Sequence, residues 1–121
     1  MILLDSSVWI EFFSEGTEVQ RATTYLNDLT QVITPVIVLY KVYRKIKRDR
    51  SEEEALQAVS MMLKTVIVPI EESLALSAAD VGLKYSLPMA DSLVYAAAVE
   101  KNAELVTRDV RFKGLDGVIF F

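Results

Sequence analysis

Three aspartates stand where carboxylate chemistry could be done. Asp5 directly follows the apolar run Ile2 to Leu4, Asp91 opens an alanine-rich stretch just after Pro88, and Asp109 follows the run Glu104 to Thr107. Singly, each has an ordinary explanation: Asp5 and Asp91 suit helix caps or first turns, where a carboxylate meets the positive end of the macrodipole, and Asp109 suits a turn. Together they say more. Carboxylates gathered in one place repel unless a cation neutralises them, and hard divalent ions such as Mg²⁺ or Mn²⁺ prefer oxygen ligands. Such an ion keeps several waters, activates one as a nucleophile and stabilises charge on a phosphodiester.

Composition narrows the alternatives. With no cysteine and no histidine, the chain lacks disulfides, thiolate zinc sites, thiol nucleophiles, imidazole ligands and Ser-His-Asp triads. Neither G-x-x-x-x-G-K-[ST] nor G-x-G-x-x-G occurs, which disfavours a nucleotide-binding or phosphatase-like α/β domain. A formal net charge of -4 is unlike the strongly basic field of a nucleic-acid coat protein, so nucleic acid would have to be met through a local patch. The chain has 121 residues, 52% of them hydrophobic, enough to bury one core, and we expect one domain over residues 1–121. The opening MILLDSSVWIEFF reads as no signal peptide and no apolar run is long enough to span a bilayer; a cytoplasmic protein without a membrane segment is the expectation.

The aspartates need elements to hold them. Apolar runs at Ile2 to Leu4, Val32 to Thr34, Val66 to Ile70, Glu104 to Thr107 and Val118 to Phe121 predict short strands, with Pro69 easiest to place at a strand end. Val8 to Phe13 reads as a helix opening or an irregular turn. Helical spacing predicts helices over Glu18 to Leu29, from Pro35 to about Arg48, over Glu71 to Tyr85 and over Met89 to Asn102. Ser51 with Glu54 three residues on is a capping box that starts a further helix. Strands alternating with helices imply a parallel sheet covered on both faces. In such sheets ligands bind at the carboxyl ends of the strands, where all three aspartates are expected.

The stretches Asp5-Ser6-Ser7-Val8-Trp9-Ile10, Pro88-Met89-Ala90-Asp91-Ser92-Leu93-Val94-Tyr95 and Leu105-Val106-Thr107-Arg108-Asp109-Val110-Arg111-Phe112 resemble, in order and spacing, the motifs of the PIN-domain family, which includes the VapC-type toxins of toxin–antitoxin pairs. The resemblance covers essentially the whole chain. It implies a Rossmann-like α/β/α sandwich and a nuclease, a hydrolase of RNA that depends on Mg²⁺ or Mn²⁺. It also implies partners: an RNA substrate, a small antitoxin protein and a second copy of the chain in a homodimer. Carried over by position, Asp5, Asp91 and Asp109 match the family's acidic metal ligands and catalytic residues, with Ser7 and Thr107 as polar neighbours. Arg108 and Arg111 lie beside Asp109, where they could meet a substrate phosphate.

One position departs from the pattern. In Val38-Leu39-Tyr40-Lys41-Val42-Tyr43-Arg44, Lys41 stands where the family usually has a glutamate. An ammonium there can pair with Asp5 or Asp91 and occupy the electrostatic role of the ion, impairing catalysis. Alternatively its long stem snorkels to solvent and leaves a three-aspartate site, or Glu11 supplies the missing acid. A non-catalytic PIN-fold module binding RNA or protein is therefore the rival reading. Two further features have double readings. The basic residues between Lys41 and Arg50 form either an RNA-backbone patch or a solvated helix end balanced by Glu52 to Glu54. Tyr40, Tyr43, Met61 and Met62 form either an apolar partner surface or simply core.

Overall fold

The computed structural model describes residues 1–121 and contains five strands and six α-helices in the order β1 (Ile2–Leu4), α1 (Ser6–Phe13), α2 (Val19–Thr24), β2 (Val32–Pro35), α3 (Val36–Asp49), α4 (Glu52–Met62), β3 (Val66–Val68), α5 (Glu72–Tyr85), α6 (Met89–Glu100), β4 (Glu104–Thr107) and β5 (Val118–Phe120). All strand pairings are parallel, in the order β3-β2-β1-β4-β5. Successive strand residues point to opposite faces, and Leu3 and Leu4, like Leu105 and Val106, are all fully buried. Helices must therefore cover both faces, which makes the fold the expected α/β/α sandwich around a central parallel sheet.

The strand order carries the functional information. From β1 the chain winds outward through β2 to β3, then crosses back to place β4 on the other side of β1. The reversal opens a crevice between the carboxyl ends of β1 and β4, the topological switch point where ligands of open α/β sheets bind. Leu4 pairs with Val106 in that seam, and Asp5 N–H donates to Val106 O at 3.0 Å, so the first residue beyond β1 is tied to its neighbour strand.

Local chemistry explains most boundaries. Ser51 Oγ accepts from Glu54 N–H at 3.1 Å, and the Glu54 carboxylate receives Ser51 Oγ–H in return, so the capping box forms where expected. Pro35 ends β2 and caps α3, and β3 stops at Val68, before Pro69. The expected helix from Glu18 to Leu29 is cut to Val19–Thr24, followed by a 3₁₀ turn at Leu29–Gln31. At its end the Tyr25 and Leu26 N–H groups bond three residues back, to Ala22 O and Thr23 O, and Asp28 then accepts from Thr30 N–H to start the next turn.

Candidate functional site

Each of the three aspartates reaches the switch point by a different local device. Asp5 is the extended residue between β1 and α1, Asp91 lies in the first turn of α6, and Asp109 caps a 3₁₀ turn at Val110–Phe112 beyond β4. Asp5 and Asp91 are each only 2% exposed, an uncommon state for carboxylates, which must find partners when buried. Asp5 finds them across the seam: Oδ2 accepts from Thr107 Oγ1 at 2.8 Å and from Ser7 Oγ at 3.1 Å. Thr107 Oγ1 also accepts from Asp109 N–H at 2.9 Å, while Ser7 Oγ accepts from Arg108 N–H at 3.0 Å. Ser7 and Thr107 thus stand beside the aspartates and splice α1 to the end of β4. The other oxygen of Asp5, Oδ1, is buried without a hydrogen-bond partner.

Asp91 is neutralised from both sides. Lys41 Nζ lies 3.8 Å from its Oδ1 and Arg111 Nη1 3.3 Å from its Oδ2; the same Arg111 nitrogen lies 3.5 Å from Asp109 Oδ2. Burial pushes the Asp91 carboxyl above the usual carboxylate range; Lys41 opposes this, the charges of Asp109 and Asp5 add to it, and Arg111 opposes it. Thr107 Oγ1, which bonds both Asp5 and the Asp109 amide, and Arg111, which spans Asp109 and Asp91, tie the three aspartates into one neighbourhood. A carboxyl raised in the folded state costs no stability below its unfolded pKa and most above its folded one. Asp91→Asn is therefore expected to melt higher than the parent at neutral pH in chelator, an advantage that fades as the pH falls into the acid range. Thermal melts across pH would check this, and a variant that melts lower throughout would contradict it.

The donors at the switch point are all oxygens, and a buried carboxylate oxygen without a partner is what an oxygen-seeking cation would satisfy. By donor chemistry the residues fit Mg²⁺ or Mn²⁺. As they stand, no three acidic side chains close around a point that could hold an ion, and the charge of Asp91 is met by Lys41 and Arg111. Lys41 therefore neither snorkels away nor reaches Asp5; it pairs with Asp91.

Glu11 does not supply a fourth acid to the cluster. It is buried on α1, its Oε1 lies 2.8 Å from Arg108 Nη1 and also accepts from Glu18 N–H at 3.0 Å. The carboxylate sits where any side chain at residue 16 would be, so Gly16 is required for the close approach. Arg108 is correspondingly turned toward Glu11 and packs over the Phe121 ring at 5.7 Å. The pair clamps the α1–α2 turn to the loop after β4. Glu11→Gln keeps the shape but leaves Arg108 without its counter-charge, and we expect a loss of about 2–4 kcal/mol in urea unfolding.

The remaining features resolve plainly. Between Lys41 and Arg50 the bases are mostly paired locally: Lys45 and Arg48 with Asp49, Lys47 with Glu52, Arg50 with Glu54. This is the solvated, balanced helix end. Tyr40 and Tyr43 line a shallow depression of about 370 Å³ with Val36, Leu39, Leu56 and Val59, all apolar. Met62 does not join them; it is fully buried on the Ala55-Ala58-Met62 stripe of α4 that faces the core, and Met61 lines a separate hollow beside Phe13 and Ile46. No helix is long and apolar enough to cross a membrane.

Comparisons with known proteins agree with this fold. A toxin–antitoxin complex from Klebsiella pneumoniae contains a chain that superposes with a TM-score of 0.82 at 25% identity, covering 98% of this chain and 96% of that one. The sarcin-ricin-loop-cleaving toxin VapC20 of Mycobacterium tuberculosis superposes equally well, TM-score 0.82, at 15% identity over 96% of this chain and 95% of that one. A chain of DNA-bound VapBC from Salmonella typhimurium gives a TM-score of 0.78 at 15% identity over 100% and 98% of the two chains. No curated protein sequence matches significantly. The family model for the PIN domain matches residues 2–118, a span that contains every residue of the β1–β4 crevice, and the chain accordingly belongs to the PIN-domain family.

Proposed function

We propose that the chain is a metal-dependent endoribonuclease of the PIN-domain type, the toxin of a toxin–antitoxin pair, folded as a single PIN-like domain over residues 1–121 and acting in the cytoplasm. The observation that supports this reading is the linkage of the three aspartates at the switch point, Asp5 to Asp109 through Thr107 Oγ1 and Asp109 to Asp91 through Arg111, with one buried Asp5 oxygen unpartnered. Mg²⁺ or Mn²⁺ held by those three carboxylates would supply an activated water and charge stabilisation on the scissile phosphate. The chain's own residues do the positioning. Ser7 and Thr107 fix one oxygen of Asp5 and leave the other free. Arg111, more than half exposed beside Asp109, is the nearer candidate for substrate phosphate, and Arg108 is the second. The antitoxin is read from the similar structures, several of which are toxin–antitoxin complexes, and the Tyr40–Tyr43 depression suits an apolar segment of such a partner. A homodimer is part of the same reading.

A structured RNA incubated with the purified chain in Mn²⁺, in Mg²⁺ and in chelator tests the proposal. Cleavage is expected with either metal and not in chelator; cleavage that survives chelator would exclude the mechanism. One observation favours a rival reading, a non-catalytic PIN-fold module that binds RNA or protein: Lys41 and Arg111 already balance much of the charge that a metal would. Under that reading RNA is retained, uncut, in every condition.

A further inference from the structure

We propose that Arg111 is the resident counter-cation of the site: its guanidinium bridges Asp91 and Asp109 in the metal-free protein and gives way when a divalent ion binds, which frees it to meet RNA phosphate. This rests on the metal-dependent reading above and assigns the order in which the site's cations exchange. One nitrogen, Nη1, lies 3.3 Å from Asp91 Oδ2 and 3.5 Å from Asp109 Oδ2, between carboxylates carried by different elements. Both distances are at the long end for charged hydrogen bonds, so neither contact is a tight bidentate pair. The backbone explains why the side chain is there. Asp109 Oδ1 accepts from Arg111 N–H at 3.0 Å and closes the turn that sends the side chain back over Asp91. Fully buried Phe112, the next residue, pins that turn to the core. The anchor is therefore rigid while the guanidinium is not, the Arg111 side chain being 59% exposed against 32% for Lys41.

Charge makes the exchange natural. With Lys41 retained, a divalent ion and that lysine together balance the three aspartates; with Arg111 also in place the pocket would carry an excess positive charge in a partly desolvated site. The less buried of the two cations is the one to leave.

The test measures Mn²⁺ binding by calorimetry in the parent and in Arg111→Gln, whose substitution at an exposed side chain spares the core. The variant is expected to bind on the order of tenfold tighter, since it has no internal competitor to displace, and to melt lower than the parent in chelator. In the parent, the Arg111 Nε–H resonance, identified by its absence from the variant, is expected to shift on addition of Mg²⁺, while Arg111→Lys, which keeps the charge, should stay near parental affinity. Equal or weaker Mn²⁺ binding by Arg111→Gln, with the parent binding normally, would overturn the exchange and leave the metal-dependent reading intact. Absence of Mn²⁺ binding in both proteins would sink both. An unmoved Arg111 resonance at saturating Mg²⁺, assigned from Arg111→Lys if Arg111→Gln fails to fold, would overturn the exchange whatever the calorimetry gives.

Discussion

Asp5→Asn is expected to abolish divalent-dependent RNA cleavage, lowering its rate on the order of a thousandfold or more while leaving the fold in place. The two halves of that expectation come from different oxygens of one side chain. Oδ2 is engaged by the Thr107 and Ser7 hydroxyls, which can rotate to accept from an amide, so the local network survives. Oδ1 has no partner in the chain, and it is there that the full charge of a carboxylate would matter. Thr107→Val, by contrast, leaves the charge but loosens its orientation, and about 10- to 100-fold is expected, the usual effect of removing a group that orients a ligand. Single-turnover cleavage of one RNA by the two variants, with melts to show that both are folded, reads the ratio. A variant Asp5→Asn that cleaves as the parent does would remove Asp5 from the chemistry.

Lys41→Glu should change the response to metal more than any other single substitution. The change removes the ammonium 3.8 Å from Asp91 Oδ1 and puts a carboxylate in its place, so four acids would share the crevice. In chelator the variant is expected to melt below the parent, because buried like charges lack a cation. With Mn²⁺ its gain in melting temperature should exceed the parent's, and its affinity should rise by roughly 10- to 100-fold after screening by water and salt. Identical metal responses in parent and variant would show that the Lys41–Asp91 pairing has no bearing on the ion.

Much of this architecture was legible in the residues because the signals are local. An apolar run ending in Asp5 and another ending before Asp109 mark strand ends, and a parallel sheet then obliges the two aspartates to share an edge. Asp91 follows from its position after Pro88 at a helix start. What could not be read is what distant residues do to one another. Nothing near Glu11 in the sequence shows that Arg108 is its partner, so its role as a clamp was hidden and its service as an extra ligand looked open. The extent of α2 is hidden for a different reason: its apolar spacing continues through Leu29, yet the Tyr25 and Leu26 N–H groups bond three residues back, to Ala22 O and Thr23 O, and the helix tightens into a turn. Arg111 is intermediate. The Asp109-Val110-Arg111 sequence is a turn signal, and the turn it makes is what carries the guanidinium back onto Asp91.

The seam between β1 and β4 also sets when the crevice can form. Asp5 is oriented by Thr107, 102 residues further along, and the strand that carries Thr107 follows all six α-helices. A growing chain holds Asp5 from the outset but lacks its partner until β4 has been made, and such long-range parallel pairing is intrinsically late to form. The crevice therefore cannot assemble from the N-terminal strands and helices alone: it closes only when β4 pairs with β1 and Thr107 reaches Asp5.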